Sequence, residues 1–282
     1  MFTLNRIWLV ALISFQLSLV SQTIYKDFNP GKAGSQVYVL SQTDTALLLS
    51  LDDGVNGLEL WYMSLKGQRD PYMIKNISEG DTSSNFATDV YFDGERWWLF
   101  KYVIQSFNSQ YELYVTDGTE NGTKKLALLK GTTPYSQLNQ MVMFNHKFYF
   151  TGVDSSGYFL WESDGTPEGT KKSFVIEDEY RFGSIPRQLT VLGDKLYYFA
   201  YTKEHGYEWW CTDGTEEGTK LVIDLAPGVN SGVNTSQVYR DTINNKIYFV
   251  GSDDLNKGYD VYETNGEASG TKLFMDFNVG SV

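Results

Sequence analysis

The sequence predicts an all-β fold, a β-propeller of about five four-stranded blades with a period near 50 residues. Three observations predict it. A polar corner recurs, as TDGTENGT at 116–123, SDGTPEGT at 163–170, TDGTEEGT at 212–219 and TNGEASGT at 264–271. An aromatic anchor precedes each corner; Trp61, Tyr114, Trp161, Trp210 and Tyr262 are separated by 53, 47, 49 and 52 residues. Each period also holds four short stretches rich in β-branched and aromatic residues, divided by Gly, Asn and Asp, and none keeps a helical spacing. A period of this length indicates a repeat architecture, and four strands per period is what a propeller blade requires.

The elements follow in chain order. Residues 1–21 carry Arg6, then a mostly apolar stretch from Ile7 to Val20, then Ser21. That order is the layout of a secretory signal peptide, with cleavage expected near Ser21–Gln22. A buried N-terminal strand or helix is the alternative. The stretch is short for a bilayer and is interrupted by Ser14, Gln16 and Ser18, so no membrane span is expected. Residues 22–35, TIYKDFNPGKAGS from Thr23 on, resemble LVIDLAPGVNSG at 221–232 and read as an extra outer strand with its exit link. The five units then occupy about 36–84, 85–137, 138–186, 187–233 and 234–282 of a single domain, 22–282.

Within a unit the first strand and its turn appear as TDVYFDG, QMVMFNH, LTVLGD and VYRDTINN. The second strand appears as ERWWLF, HKFYF, DKLYYFA and NKIYFVG, with ALLLS in the same slot of the first unit. The third carries the anchor, and the fourth follows the corner as TKKLALL, TKKSFVI, TKLVIDL and TKLFMDF. The strands are lettered A to D from the axis outward. Paired aromatics then point to opposite faces and fill the wedges between blades, because one sheet buries little alone. Pro is scarce, six in all, which suits many paired strands. A β-solenoid is the rival architecture; its repeats are usually shorter and it needs capping ends. An outer strand ahead of the first unit leaves two readings. Either a five-bladed ring carries a spare strand, or the sequence belongs to a longer array. The favoured expectation is a closed or nearly closed five-bladed ring, since closure leaves no sheet edge exposed.

The corner has a turn rationale. Asp117-Gly118, Asp164-Gly165 and Asp213-Gly214 start the C-to-D connection. Gly accepts positive φ, and Asp can accept bonds from amides two residues on. A calcium loop is the functional alternative. The corner supplies one carboxylate followed by Gly, which falls short of the ligand density of a recognised calcium loop, so no metal site is assigned and calcium stays a secondary option.

The string E-L-W-x-x-D-G-T-x-x-G-T resembles the ELWxxDGT repeat family, found mostly in exported bacterial proteins, many from Bacteroidetes. The resemblance covers almost the whole chain after the leader and is strongest in the repeats beginning at 112, 159 and 208. The repeat at 260 departs, with TNGEASGT, and the one at 59 keeps only ELW. The resemblance implies propeller repeats, export to the envelope or beyond, and no general catalytic activity.

Composition narrows the partners. The net charge is −12, from 35 acidic and 23 basic side chains, which disfavours nucleic acid. A single Cys, Cys211, allows no intrachain disulfide and reads as a small buried apolar residue. His146 and His205 fall on opposite ends of the disc, so they form no zinc site. Variable B–C loops on a rigid ring are the favoured binding surface, with Asp52, Asp53, Asn56, Asp154, Glu204, His205, Asp253 and Asp254 as its candidate residues. A carboxylate pair among such loop acids could serve a glycoside hydrolase or lyase, but no nucleophile–base signature singles one out. The leading expectation is an exported, non-catalytic binding or scaffold module for a protein or glycan at the cell envelope. A glycoside-active propeller and a fragment of a larger adhesin-like repeat protein are the alternatives.

Overall fold

The computed structural model describes residues 28–29, 35–67, 70–78, 83–87, 89–105, 108–130, 141–174, 176, 184–254 and 258–277. The expected signal peptide and most of 22–35 lie outside the described residues, as do the link segments 131–140 and 177–183. The described residues form an all-β, propeller-type fold of antiparallel sheets, with one 3-10 turn at Ala268–Gly270.

Five sheets are present among the described residues, each drawn from one contiguous stretch in the order A-B-C-D. Sheet 1 comprises Val37–Gln42, Ala46–Asp52, Leu58–Ser64 and Tyr72–Lys75. Sheet 2 has a first strand in two pieces, Asn85–Phe86 and Tyr91–Phe92, both paired with Trp97–Gln105, followed by Asn108–Thr116 and Lys124–Lys130. Sheet 3 comprises Met141–Phe144, Lys147–Asp154, Gly157–Ser163 and Lys171–Lys172. Sheet 4 comprises Arg187–Leu192, Lys195–Thr202, Gly206–Thr212 and Lys220–Ile223. Sheet 5 comprises Val233–Asp241, Lys246–Gly251, Asp260–Thr264 and Lys272–Met275. The fourth strand of sheet 3 is shorter than TKKSFVI suggests. After Lys172 the amide of Ser173 still donates to the Leu160 carbonyl at 2.8 Å, and no further pairing is seen among the described residues.

The first strands of sheets 3, 4 and 5 approach one another, which puts strand A innermost. The period-2 pleat then sends neighbouring aromatics to opposite wedges. Trp97 packs with Leu48, Leu60, Leu99 and Tyr114 between sheets 1 and 2. Trp98 packs with Phe100, Leu113, Phe148 and Phe150 between sheets 2 and 3, stacked on Phe148 with centroids 4.4 Å apart. Tyr198 joins Tyr149, Leu160 and Leu196 between sheets 3 and 4. Tyr197 joins Phe199, Trp209, Ile247 and Phe249 between sheets 4 and 5. Burying such a ring contributes about 1.5–3 kcal/mol, and a single sheet keeps neither face dry. Cys211 lies in the wedge between sheets 4 and 5 at 1% exposure, and burial pushes its thiol pKa up, so it behaves as an apolar filler.

The described residues show these four inter-sheet cores and none joining sheet 5 to sheet 1. Closure of the expected ring is therefore not shown by the described residues. The outer face of sheet 5 instead leaves Tyr239 at 68% and Phe274 at 52% exposure.

The recurring corner does two jobs. The first is local. Asp117 Oδ1 accepts the Thr119 amide at 2.8 Å and the Thr119 hydroxyl at 2.7 Å. Thr119 Oγ1 accepts the Gly122 amide at 3.0 Å, and the Thr123 hydroxyl donates to the Thr119 carbonyl at 2.6 Å. Asp164 and Asp213 repeat the pattern with Thr166 and Thr215. The second job joins sheets, and turn chemistry alone does not account for it. Gly118 has φ +89°, and a Cβ there would sit 2.8 Å from the Tyr62 ring of the preceding sheet. Gly266 meets Tyr197 of sheet 4 in the same way, and the Tyr197 hydroxyl donates to its carbonyl at 3.3 Å. Gly165 rests against Arg96 and Trp98 of sheet 2, and Gly214 against Tyr149 of sheet 3. The corner of sheet 1 has its positive-φ glycine at Gly67, φ +85°, and a Cβ there would meet nothing within 4 Å among the described residues.

This difference is measurable. Gly67→Ala is expected to cost about 1 kcal/mol for its left-handed backbone alone. Gly118→Ala is expected to cost about 2–4 kcal/mol, since the Tyr62 ring must also shift. Urea unfolding of both variants checks the ordering, and equal losses would remove the inter-sheet role of the corner glycine.

Candidate functional site

Three side-chain contacts fix which turns share an end of the disc. The Asn145 side-chain amide, in the A–B turn of sheet 3, donates to the Asp213 carbonyl in the corner of sheet 4 at 3.1 Å. A–B turns and corners therefore lie together. At the other end the B–C loops meet the D-to-A links. The Leu58 amide donates to Ser83 Oγ at 3.1 Å, and the Tyr207 amide to Ser231 Oγ at 3.0 Å.

On this second end the candidate acids serve their own loops. Asp52 Oδ1 accepts the Gly54 amide at 2.7 Å. Asp53 accepts the amides of Val55 and Asn56, each at 2.9 Å, and the Asn56 side chain at 2.8 Å. Burial would raise the Asp53 pKa, but these bonds outweigh it and hold the carboxyl below its ordinary value. Asn56 Oδ1 in turn accepts the Asn76 side chain of the following link at 3.1 Å. Asp154 accepts Ser156 through its amide and hydroxyl and pairs with Lys172 at 2.7 Å. The Lys172 ammonium also lies 4.1 Å above the Phe159 ring. Burial of Asp154 is likewise outweighed, and its pKa stays below normal. Asp253 is exposed, and the carbonyl of Asp254 accepts the Ser252 hydroxyl at 2.8 Å. Glu204 is exposed. Among the described residues no three His, Cys, Asp or Glu side chains converge as a metal site would require.

His205 is the candidate that finds company. Its Nδ1 lies 2.8 Å from Asp224 Oδ2, and the Gly228 amide reaches the same oxygen at 3.3 Å. Asp224 sits at the start of the link to sheet 5, 19 residues away, so nothing local in the sequence pairs the two.

Reading by motif also missed a second class of acid. The Glu that opens ELW is buried against its own D-to-A link. Glu59 accepts the amides of Ile77 and Ser78, each at 2.9 Å, and the Ser84 hydroxyl at 3.0 Å. Glu208 accepts the amides of Gly232 at 2.7 Å and Ala226 at 3.3 Å. In sheet 5 the shorter Asp260 takes the Phe277 amide at 2.9 Å. The signal was present in the motif, a carboxylate fixed beside two apolar positions on a strand. Glu208 is 0% exposed, and its second oxygen has no hydrogen-bond partner among the described residues. Burial pushes its pKa up to about 7 against the link amides, and nearby Asp224 adds to the rise.

The largest departure from the loop-centred expectation is on a sheet face. A cleft of about 470 Å³ opens on sheet 5, lined by Tyr239, Tyr248, Val250 and Val261, with Gln188 of sheet 4 at its rim. Phe274 packs edge-on to Tyr248 with centroids 4.9 Å apart. A smaller cleft of about 210 Å³ lies between the inner strands of sheets 1 and 2, at Tyr38, Leu40, Ser50, Ser84 and Phe86.

Fold and clefts together define a propeller-type repeat protein with an uncovered aromatic sheet. No family model and no curated protein matches the chain. Among solved structures it is similar to one from a study of two prolyl endopeptidases, with TM-score 0.49 and 12% identity over 85% of this chain and 36% of that one. It is also similar to a puromycin-hydrolyzing peptidase of Mycobacterium tuberculosis, with TM-score 0.46 and 10% identity over 82% of this chain and 37% of that one. An uncharacterized protein from Listeria monocytogenes EGD-e gives TM-score 0.41 and 11% identity over 82% and 63%. The chain spans about a third of the length of the two peptidase structures and just under two thirds of the third.

Glu208 makes stability depend on pH. Its pKa lies above the ordinary 4.5, so the folded state binds the proton more tightly than the unfolded chain. The contribution to stability is full below about 4.5 and is lost as pH rises through about 7. Glu208→Gln is therefore expected to match the native chain near pH 5 and to exceed it by on the order of 1–3 kcal/mol above pH 8. Urea unfolding across that range checks the sign, and a pH-independent difference would refute it.

Proposed function

We propose that this chain is an exported, non-catalytic β-propeller of the ELWxxDGT type that serves as a binding or scaffold module at the cell envelope. The observation that carries the reading is the uncovered cleft of sheet 5. Soluble proteins rarely leave a contiguous apolar surface open unless something sits on it. Here Tyr239 and Phe274 stand more than half exposed beside half-buried Tyr248, Val250 and Val261. Rings and branched aliphatics with one amide at the rim suit a protein surface better than a glycan, which would ask for more polar groups. The loop acids support a non-catalytic role, because Asp52, Asp53 and Asp154 are each held within their own loop. Export rests on the charged, apolar, small order of residues 1–21, and the purified protein should begin at Gln22 by intact mass.

The test is capture by the immobilised chain. Against solubilised envelope proteins and a panel of envelope glycans, the native chain is expected to retain a protein ligand. Tyr239→Ser with Phe274→Ser should lose it at least tenfold, with the unfolding midpoint shifted by less than about 0.5 kcal/mol because both sites are exposed. Hydrolysis of any glycan in the panel would overturn the non-catalytic reading. Undiminished capture by the double variant would move the site elsewhere.

A further inference from the structure

We infer that the link from sheet 4 to sheet 5 is a proton-operated clasp, closed while His205 and Glu208 hold their protons and released when they give them up. Two links of the molecule carry the same device with different chemistry, the one from sheet 1 to sheet 2 and the one from sheet 4 to sheet 5. Their residues correspond in order, 56–59 with 205–208 and 76–84 with 224–232. Each B–C loop ends in a glycine at positive φ, Gly57 at +72° and Gly206 at +65°. The next amide donates to a link serine, Leu58 to Ser83 and Tyr207 to Ser231. The Glu that follows accepts link amides, those of Ile77 and Ser78 on Glu59 and those of Ala226 and Gly232 on Glu208.

The side chains that close the two links differ. In the first they are neutral. The Asn76 side chain donates to Asn56 Oδ1 at 3.1 Å, and the Ser84 hydroxyl, 2.7 Å from that of Ser78, donates to Glu59 at 3.0 Å. In the other link the places of the two Asn hold His205 and Asp224, 2.8 Å apart, and the places of the two Ser hold Ala226 and Gly232. Ala and Gly bring no hydroxyl. Glu208 Oε2 is therefore buried without a partner among the described residues, and Asp224 Oδ1 is buried likewise. The elements packed on Glu208 place uncharged groups there, Ala200 from strand B, Ile223 beside Trp209 from strand D, and Gly251 of sheet 5 against Leu225. Lys203 and Glu204 of the loop are exposed, and the Arg187 guanidinium lies 5.7 Å from the Tyr207 ring. Asp224 is the charged neighbour that acts on Glu208.

Both protons act in one direction. The contact of His205 with Asp224 is an ion pair only while the imidazole is protonated. Burial, with Asp224 adding to it, raises the Glu208 carboxyl from 4.5 to about 7, so the closed link holds that proton more tightly than the open one. Its contribution is full below 4.5 and is lost as pH rises through about 7. Burial raises Glu59 as well, but there the amides, the Ser84 hydroxyl and Lys101 oppose the rise. The clasped link feeds strand A of sheet 5, whose Val238 and Tyr239 line the cleft, so release loosens that wall.

The experiment measures amide hydrogen exchange of the full chain by mass spectrometry at about pH 5.5 and about pH 8.5, with intrinsic rates divided out. Protection over 225–232 should fall at least about tenfold across that range, as a link that binds more protons when closed requires. Protection at Ile77 and Ser78 should fall less than about threefold, since the first link closes with neutral groups. Glu208→Gln with His205→Asn and Asp224→Asn removes the charges of the clasp and should leave 225–232 independent of pH. His205→Asn alone, at a part-exposed site, serves if circular dichroism shows the triple variant unfolded, and it should remove about half of the response. Equal falls at the two links of the native chain would overturn the inference, as would a flat profile over 225–232. A folded variant that keeps the full native response would overturn it too.

Discussion

The contact on which the rest of the structure depends is the seating of an aromatic side chain of one sheet beneath the corner glycine of the next. It links three features that look independent in the sequence. The ring must sit at a fixed position of strand B or C, as Tyr62, Trp98, Tyr149 and Tyr197 do. The corner must carry a residue without Cβ in a left-handed conformation, as Gly118, Gly165, Gly214 and Gly266 do. The two must recur with one period, or successive sheets would not share an angle. The local bonds of Asp and Thr shape the corner; the ring below holds it to its neighbour. A drift in repeat length would move the ring off the glycine, so the period is held by packing and not by the turn.

Much of the fold was legible because repetition multiplies weak signals. A single DG dipeptide is an ordinary turn, but three of them and one NG at matched distance from an aromatic anchor define a unit. The doublets Trp97-Trp98 and Tyr197-Tyr198 were readable as fillers of opposite wedges, since the pleat leaves no other arrangement. The inter-sheet duty of the glycines was hidden for a simple reason. Turn chemistry already explains a glycine at positive φ, and nothing in one sequence shows that Tyr62 lies against Gly118. Ring closure was expected from the general liability of sheet edges, and the described residues do not show it. Tyr248 reads like Tyr197 in sequence, and among the described residues no corner glycine lies against it.

The loop end of the disc shows the opposite balance. Its acids were visible, but what they do was not. An exposed Asp followed by Gly, Asn or Ser bonds its own loop more cheaply than it waits for a ligand, and Asp52, Asp53 and Asp154 all do so. Longer partners lie beyond local inspection. Lys172 reaches Asp154 from the fourth strand, and Asp224 reaches His205 from a link. The acids that matter to the architecture are the buried ones of the repeat. Glu59 and Glu208 accept two or more donors from the segment that leads to the next sheet. Each ties the exit of one sheet to the entry of the next at the end opposite the corner glycine. Sheets 1 and 2, and sheets 4 and 5, are thus pinned at both ends of the wedge, by a polar tie and by an aromatic latch.

This double pinning makes the array unequal along its length. Sheets 2, 3 and 4 are held on two faces, so each of their strands B and C is buried from both sides. Among the described residues sheet 5 is held on one, whereas the leading face of sheet 1 keeps Leu49 at 4% and Leu51 at 0% exposure with Phe28 edge-on to Trp61. In a chain of units whose stability comes from neighbour contacts, the terminal units have one interface term where the others have two. The fourth strand of sheet 5 shows the consequence, with Lys272–Met275 exposed at every residue, whereas Leu126 and Leu129 in the fourth strand of sheet 2 are buried. A surface left in that state raises the free energy of the isolated molecule, and covering it would lower that free energy by the same hydrophobic term that joins the interior sheets. The open face of sheet 5 and the buried faces of sheets 2 to 4 therefore have one origin, a unit whose apolar side chains are covered only by a neighbouring sheet.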